Sequence, residues 1–458
     1  MKKYDIIIIG AGPGGYVAAI KAAQLGAKVA LIEKEALGGV CLNIGCIPTK
    51  ALIKSAKVYR NIINSDKYGI KLDQKSLKAD WQKIVNRKDE IVKRLTDGVG
   101  MLLNKNGVEV IQGIAKVLDP TRVEVNGEIL EAKNLILAMG SSPIIPPIPG
   151  VKEAYEAGVI VTSKELLSLK KLPKSLVIIG GGVIGVEFAT IFATFGVEVK
   201  ILEKLDNVLI NIDDEARTLL LRILKRNKIE VITGATVHGV NKDVVTYEKD
   251  GKSQSLNSEK ILLSVGMRAN TKGLEHLNLE MDRDAIITNE YLQTSIPNIY
   301  AIGDINGKMM LAHVASHEGI VAVENILGKK SKIDYNKIPS GIYGFPEIAM
   351  VGLTEKQAKE HGLDYKVGKF PLSALGKALA DGEAEGFVKI IADKKYGEIL
   401  GFHIVAENAM EMITEGAITM ELEGTIHEIS KTTHPHPSLS EAIMEAAMAA
   451  ISKPIHLL

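Results

Sequence analysis

Cysteine is nearly missing from this 458-residue sequence: there are two, Cys41 and Cys46, five positions apart. A stabilising disulfide framework is thereby excluded, and a close pair in a reducing compartment points to catalysis or metal binding. Zinc is disfavoured because a four-ligand site needs more Cys or His than this neighbourhood holds, and no metal is expected. Aromatic residues are scarce too, at 4 %, leaving few platforms on which nucleic-acid bases stack. An excess of one charge is missing: 56 Lys and Arg face 55 Asp and Glu, with no basic tract for phosphate backbones or anionic lipid. No nucleic-acid or membrane partner is expected. Apolar runs fall short of the roughly 18 residues of a membrane span. Ile6 to Ile9 is too short even for a signal-peptide core, and the first strand begins too early for an Arg-rich transit peptide, so a cytoplasmic location is expected.

What the sequence does have is length, glycine and repetition. At about 100 to 200 residues per domain the chain divides into three or four units. Its 46 % apolar and 24 % charged residues are those of a soluble globular protein. Residues 4 to 9, YDIIII, read as a buried strand; Gly10, Gly12 and Gly15 follow in G-x-G-x-x-G spacing, then a helical segment to Gly26 and a second strand, KVALIE, ending at Glu33. The pattern recurs: a strand from Leu176 to Ile179, then Gly180, Gly182 and Gly185, a helix ended by Gly196, and VKILE ending at Glu203. Gly10 and Gly180, Gly15 and Gly185, Gly26 and Gly196, and Glu33 and Glu203 are each 170 positions apart.

This spacing has a chemical reason. The first glycine permits a tight turn, the second lets the backbone approach a pyrophosphate, and the third lets helix and strand pack closely. The pyrophosphate then sits on unpaired amides at the positive end of the helix. A carboxylate ending the second strand accepts hydrogen bonds from the adenosine ribose, the place of Glu33 and Glu203. Two dinucleotides are expected. At the second site Glu203 repels a 2′-phosphate, and the following KLDN offers no Arg to receive one, so NAD is expected there.

Cys41 and Cys46 lie in GGVCLNIGCIPTKAL. Five residues of regular helix turn a side chain by about 500°, or about 140° net, so the sulfurs do not share one straight helical face. A disulfide needs a distorted or incoming turn. Gly45 and Pro48 are residues to shape one, and amides at a helix N-terminus lower a thiol pKa toward thiolate. Spacing alone equally allows two inert buried thiols.

Residues 41 to 50, CLNIGCIPTK, closely resemble the redox motif of the pyridine nucleotide-disulphide oxidoreductases of the glutathione reductase type, and within them the dihydrolipoamide-oxidising branch. The resemblance implies FAD and NAD as cofactors, Cys41 as the interchange thiol, and Cys46 as the thiolate against the flavin. It also implies that Lys50 pairs with Glu187 of GVIGVEFA beside the flavin ring; without it, both read as ordinary charged residues on helix surfaces. TSIPNIYAIGD at 294 to 304 is similar to the family's second FAD motif, which assigns Asp304 to the ribityl and pyrophosphate portion. LAHVASHEG, with Ala312, resembles the helix that follows. Gly266, Arg268 and Asn270 resemble the strand end closing the NAD domain, and LAMGS, with Gly140, the first crossover. Met139 and Val40 stand where the family usually has Thr.

The C-terminal THPHPSLSEAIMEAAMAA resembles the same branch, with His436 as base and Glu441 orienting its imidazole. Without the resemblance, Ser438-x-x-Glu441 before an apolar helix is the signature of a capping box. His434 is the other candidate base.

The fold expected is α/β: two doubly wound Rossmann-like dinucleotide-binding domains, FAD at 1–145 and NAD at 146–267, a central domain at 268–338 completing the FAD site, and an α+β dimerisation domain at 339–458. The resemblance further implies a homodimer acting on the lipoyl domain of a 2-oxoacid dehydrogenase complex or the glycine cleavage system. A reductase of another disulfide and a non-enzymatic dinucleotide-binding redox sensor are the alternatives.

Overall fold

The computed structural model describes residues 1–73 and 76–457. The chain separates into two compact units: one combines residues 1–55, 76–172 and 262–333, while the other takes 173–261, the segment after residue 55 and the C-terminal part from 334.

In the first unit a seven-stranded sheet is built on the strand Lys2–Ile9, which pairs in parallel with Val29–Glu33 on one side and Glu128–Leu137 on the other. Ile6 stands opposite both Val29 and Asn134. Ile6, Ile7 and Ile8 are fully buried, because a parallel strand covered on both faces is apolar at every position instead of alternating. Glu109–Gln112 extends one edge, Arg122–Val125 and Lys116–Asp119 the other, and Ile299–Ala301 adds in parallel to Glu128–Leu137. The helix Pro13–Gln24 follows the first strand at once. Pro13 occupies its first turn, where no N–H is required, and Ala18, Ala19 and Ala22 are buried, so the helix lies close on the sheet. The two crossover segments, Ser141–Pro143 and Met267–Ala269, pair antiparallel with each other.

In the second unit the same beginning recurs: Ser175–Ile179, the helix Val183–Thr194, then Glu198–Leu202 and Glu230–Ile232 in a parallel ladder. An antiparallel sheet of Thr236–Asn241, Val244–Lys249 and Lys252–Asn257 follows. The C-terminal part is α+β, as the sequence predicts, and FVKIIAD and ILGFHIVA are the paired strands Phe387–Asp393 and Ile399–Ala406 of a five-stranded antiparallel sheet. Phe370, Phe402, Ile390 and Ile404 fill its core with the helices Ala409–Glu421, Ile426–Lys431 and Glu441–Ile451. Gly368 brings the last helix onto the strand Tyr365–Pro371: a Cβ there would lie 2.0 Å from the Ala446 carbonyl oxygen. Lys389, buried on its strand, needs partners, and Asp213, Glu215 and Glu355 supply them at 3.1, 2.9 and 2.6 Å. Among the described residues no helix is long and apolar enough to cross a membrane.

Candidate active site

The first glycine loop is as tight as its spacing requires. Gly10 has φ +101°, and a Cβ on it would lie 2.3 Å from the Ala138 carbonyl oxygen; one on Gly15 would lie 1.8 Å from the Gly10 oxygen. At Gly12 a Cβ would meet nothing within 4 Å, so the loop's open side faces the N-terminus of the helix Pro13–Gln24. Glu33 is buried and grips the loop itself: Oε2 accepts from the Ala11 amide and Oε1 from the Glu35 amide, both at 2.7 Å. Each carboxylate oxygen keeps a second lone pair for a ribose hydroxyl.

Asp304 lies half-buried in the short turn Gly303–Asn306, and its Oδ2 accepts from the Ser141 hydroxyl at 2.5 Å. Burial pushes its carboxyl above the usual range, with the Ser141 hydrogen bond opposing. The turn is held from behind by Glu318, a fully buried carboxylate on the helix Ala312–Ile326 whose Oε2 accepts from the Gly303 amide at 2.5 Å and the Asn306 side-chain amide at 3.0 Å. Asn270 ties the crossovers together: its side-chain amide donates to the Met139 oxygen and its backbone amide to the Gly140 oxygen, both at 2.9 Å, and its Oδ1 accepts from Ser142 at 2.8 Å. Gly140 and Gly266 both have positive φ, +65° and +119°. An open glycine at a helix N-terminus, a strand-end carboxylate and a half-buried aspartate fit a dinucleotide with a polyol arm.

The second loop repeats the geometry. Gly180 has φ +108°, and a Cβ on Gly182 would meet nothing within 4 Å. Glu203 copies Glu33, accepting from the Gly181 amide at 2.6 Å and the Leu205 amide at 2.8 Å. Gly185 is buried in the helix Val183–Thr194. On the same helix Glu187 is buried, not on the surface where an isolated charge would be placed, and its Oε1 accepts from the Tyr343 amide at 3.0 Å.

Between the cysteines the chain makes the distorted turn that their spacing demands. One helix, Gly39–Ile44, carries Cys41; Gly45 breaks it with φ −141° and ψ −112°; the next helix, Cys46–Ile63, begins on Cys46. A Cβ at Gly45 would lie 2.9 Å from the Val40 oxygen, so a side chain does not fit. Asn43 and Thr49 staple the break, Asn43 donating to the Leu37 and Gly39 oxygens and Thr49 to the Gly45 oxygen. Both sulfurs carry thiols here, and they meet. The hydrogen bond to Cys46 and then burial push the Cys41 thiol up, the Cys46 charge adds to this, and Lys50 opposes it. Cys46, first in its helix, lies at amides that have no intrahelical acceptor. Val40 is exposed beside the turn, and Met139 is half-buried at the edge of the core next to the first glycine loop.

His436 and Glu441 are joined. His436 Nδ1 meets Glu441 Oε1 at 2.8 Å while the imidazole is 79 % exposed, so Nε2 faces outward. The other oxygen of Glu441 accepts from the Ser438 amide at 2.8 Å. This is half of the capping box that Ser438-x-x-Glu441 suggests. The other half is absent because the helix starts later: Ser440 is its N-cap, Glu441 its first residue, and the Ser438 hydroxyl pairs with that of Ser440. His434 is only 4 % exposed, with Nε2 on Glu415 at 2.8 Å and Nδ1 on the Thr432 oxygen at 2.9 Å, leaving no nitrogen for a substrate.

The structure thus joins Cys41 to Cys46, His436 to Glu441, and each glycine loop to its glutamate. The cysteines and Lys50 belong to one unit of the chain, and Glu187, His436 and Glu441 to the other. Glu318, Ser141 and Glu415 were missed by sequence reasoning. Only for Glu318 was there a signal, an acid just before the apolar stretch GIVAV of its helix.

Residues 4–319 match the model of the pyridine nucleotide-disulphide oxidoreductase family, and residues 338–447 match that family's dimerisation domain. Curated relatives include the dihydrolipoyl dehydrogenase of Acholeplasma laidlawii, 59 % identical over 71 % of this chain and 97 % of that one. A dihydrolipoyl dehydrogenase of Bacillus subtilis (strain 168) is 43 % identical over 99 % of both chains. Among solved structures, LpdA from Mycobacterium tuberculosis superposes with a TM-score of 0.88 at 27 % identity, covering 98 % of this chain and 99 % of that one. The HOCl-induced flavoprotein disulfide reductase RclA from Escherichia coli, as its Cu(II) complex, gives 0.87 at 28 %, with the same coverage. With two duplicated dinucleotide loops, a cysteine pair on a broken helix and family matches over most of its length, this chain belongs to the pyridine nucleotide-disulphide oxidoreductase family.

Proposed function

We propose that this chain is a dihydrolipoyl dehydrogenase, oxidising protein-bound dihydrolipoamide to lipoamide through Cys41 and Cys46 with FAD and NAD. The observation that carries this reading is the His436–Glu441 pair, with one imidazole nitrogen held by a carboxylate and the other exposed. Relatives bearing that name align with the chain almost end to end.

His436 Nε2 removes the proton of a substrate thiol, while Glu441 fixes the tautomer at Nδ1 and stabilises the imidazolium. The substrate thiolate attacks Cys41 Sγ of the Cys41–Cys46 disulfide; a mixed disulfide forms, and Cys46 leaves as thiolate at the helix N-terminus. His436 gives its proton to Cys41 as the second substrate thiol displaces it and takes that thiol's proton in exchange, so substrate leaves as disulfide, two electrons remain on the cysteine pair, and the second proton passes from His436 to solvent. When bound, FAD supplies the two-electron carrier that reoxidises this pair, and NAD the exchangeable acceptor. Gly10, Gly12, Gly15, Glu33, Gly140, Asp304 and Ala312 would hold the first, and Gly180, Gly182, Gly185, Glu203 and Gly266 the second. In this reading Lys50 and Glu187 would supply the charges that tune the flavin.

The working form is a homodimer whose sites combine the cysteines of one subunit with His436 and Glu441 of the other, in the four modules expected from sequence. Its partner is the lipoyl domain of a 2-oxoacid dehydrogenase complex or the glycine cleavage system, and its compartment the cytoplasm. The test is turnover of dihydrolipoamide with NAD. His436→Ala loses about 10²- to 10⁴-fold, and a tagged heterodimer of Cys41→Ser and His436→Ala chains recovers roughly half of wild-type activity, having one intact site. A flavin-loaded heterodimer at the parental background would remove the shared site. Turnover of NADH with another disulfide, and none with dihydrolipoamide, would assign the chain to a sister activity.

A further inference from the structure

We propose that His434, held by Glu415, is the positioning residue that presents His436. This rests on the reading of His436 as the base. The two histidines are separated by Pro435 alone, yet one is buried and the other exposed. His434 is an anchor, not a second base: Nδ1 faces the Thr432 carbonyl oxygen at 2.9 Å and Nε2 the Glu415 carboxylate at 2.8 Å. A carbonyl and a carboxylate only accept, so satisfying both requires a hydrogen on each nitrogen, which makes the ring an imidazolium. The hydrogen bond to Glu415 raises its pKa accordingly; burial opposes, while the Thr432 carbonyl and the charge of Glu441 help.

The anchor is built from three helices. Ala409–Glu421 provides Glu415, Ile426–Lys431 provides Glu428 on the wall of the same cavity of about 300 Å³, and Glu441–Ile451 provides Glu441. Glu415 and Glu441 are the carboxylates whose charge bears on the ring, while Glu428 turns its own to the amide and hydroxyl of Thr425. The chain from Thr432 to Pro437 has no regular structure of its own, so the His434 bonds fix where it emerges and therefore where His436 stands.

The experiment compares kcat and KM of FAD-loaded wild type, His434→Ala, His434→Gln and His436→Ala in dihydrolipoamide turnover with NAD, with thermal unfolding recorded for each. His434→Ala should lose about tenfold in kcat through misplacement of the base. His434→Gln, which keeps an N–H for Glu415, should recover most of that rate, a rescue that loss of bulk alone does not give. If His434→Ala does not fold, Glu415→Ala, which releases the same ring nitrogen, decides by its kcat. Folded, flavin-loaded His434 and Glu415 variants with wild-type kcat, alongside a crippled His436→Ala, would overturn this proposal and leave the base assignment standing. Wild-type turnover in His436→Ala would instead strike the base assignment itself.

Discussion

The two glycine loops share a sequence pattern, a backbone and a glutamate clasp, and differ in what lies over them. The first is roofed. A Cβ on Gly39 would lie 2.6 Å from Gly12 Cα, one on Gly14 would lie 3.0 Å from the Ala315 oxygen, and one on Gly319 would lie 2.6 Å from the Gly14 oxygen. Two further segments, the turn before the cysteines and the helix Ala312–Ile326, therefore sit at backbone contact on the loop. In the second copy the turn at Val208 and Leu209 also reaches the loop, the Leu209 amide donating to the Gly181 oxygen at 3.1 Å, but at the place of the roofing helix the loop is open: Val183 and Ile184, which take the places of Pro13 and Gly14, are 41 % and 37 % exposed. A roofed loop suits a ligand that stays through every turnover, and an open one suits a ligand that arrives and leaves. The motif therefore sets the class of ligand, and the packing around it sets how long the ligand remains.

The comparison can be broken most severely at its roof. In Gly319→Val the added side chain meets the Gly14 carbonyl and Ala18, and we expect flavin content, read from the ratio of flavin to protein absorbance, to fall by at least about tenfold with activity following. NADH binding at the second loop should survive; full flavin loading would show that the roof is not needed. A smaller effect is expected at the clasp of the open loop. Glu203→Arg should move the ratio of catalytic efficiencies toward NADP by up to about 2 to 3 kcal/mol, with flavin content unchanged. A constant ratio would mean that another residue reads the ribose. The smallest effect belongs to Gly182→Ala. Its methyl meets no protein atom, so Tm should hold while KM for NAD rises by about five- to tenfold through loss of the close backbone approach. A drop in Tm without a change in KM would place the role of that glycine in folding.

Much of this was legible because it is local. The glycine spacing, the glutamates and the helix start all fall within one βαβ stretch, and their repetition at a fixed offset makes them readable without a structure. Gly45 was legible for the same reason, since five-residue spacing does not bring two side chains together on a straight helix. Longer-range facts were hidden. Glu318 serves Gly303 from fifteen residues away, and its burial depends on how a helix lies on a turn. Glu187 looked like a surface charge because nothing near it in sequence announces the Tyr343 amide. The clasping of each loop by its own glutamate also went unread, since the pattern names a partner for those carboxylates outside the protein.

Glu441 spends its two oxygens on different tasks, one on an imidazole and one on the amide that leads into its helix. Deleting it therefore measures a sum. A rate lost in Glu441→Ala mixes a misoriented ring with a helix start that has lost its acceptor, and no single substitution at that position separates the two. The separation lies in the partners: a cycle pairing Glu441 with His436 isolates one share and a cycle pairing it with the Ser438 amide the other. An estimate of what the histidine–carboxylate pair contributes to rate is an upper bound until both cycles are closed.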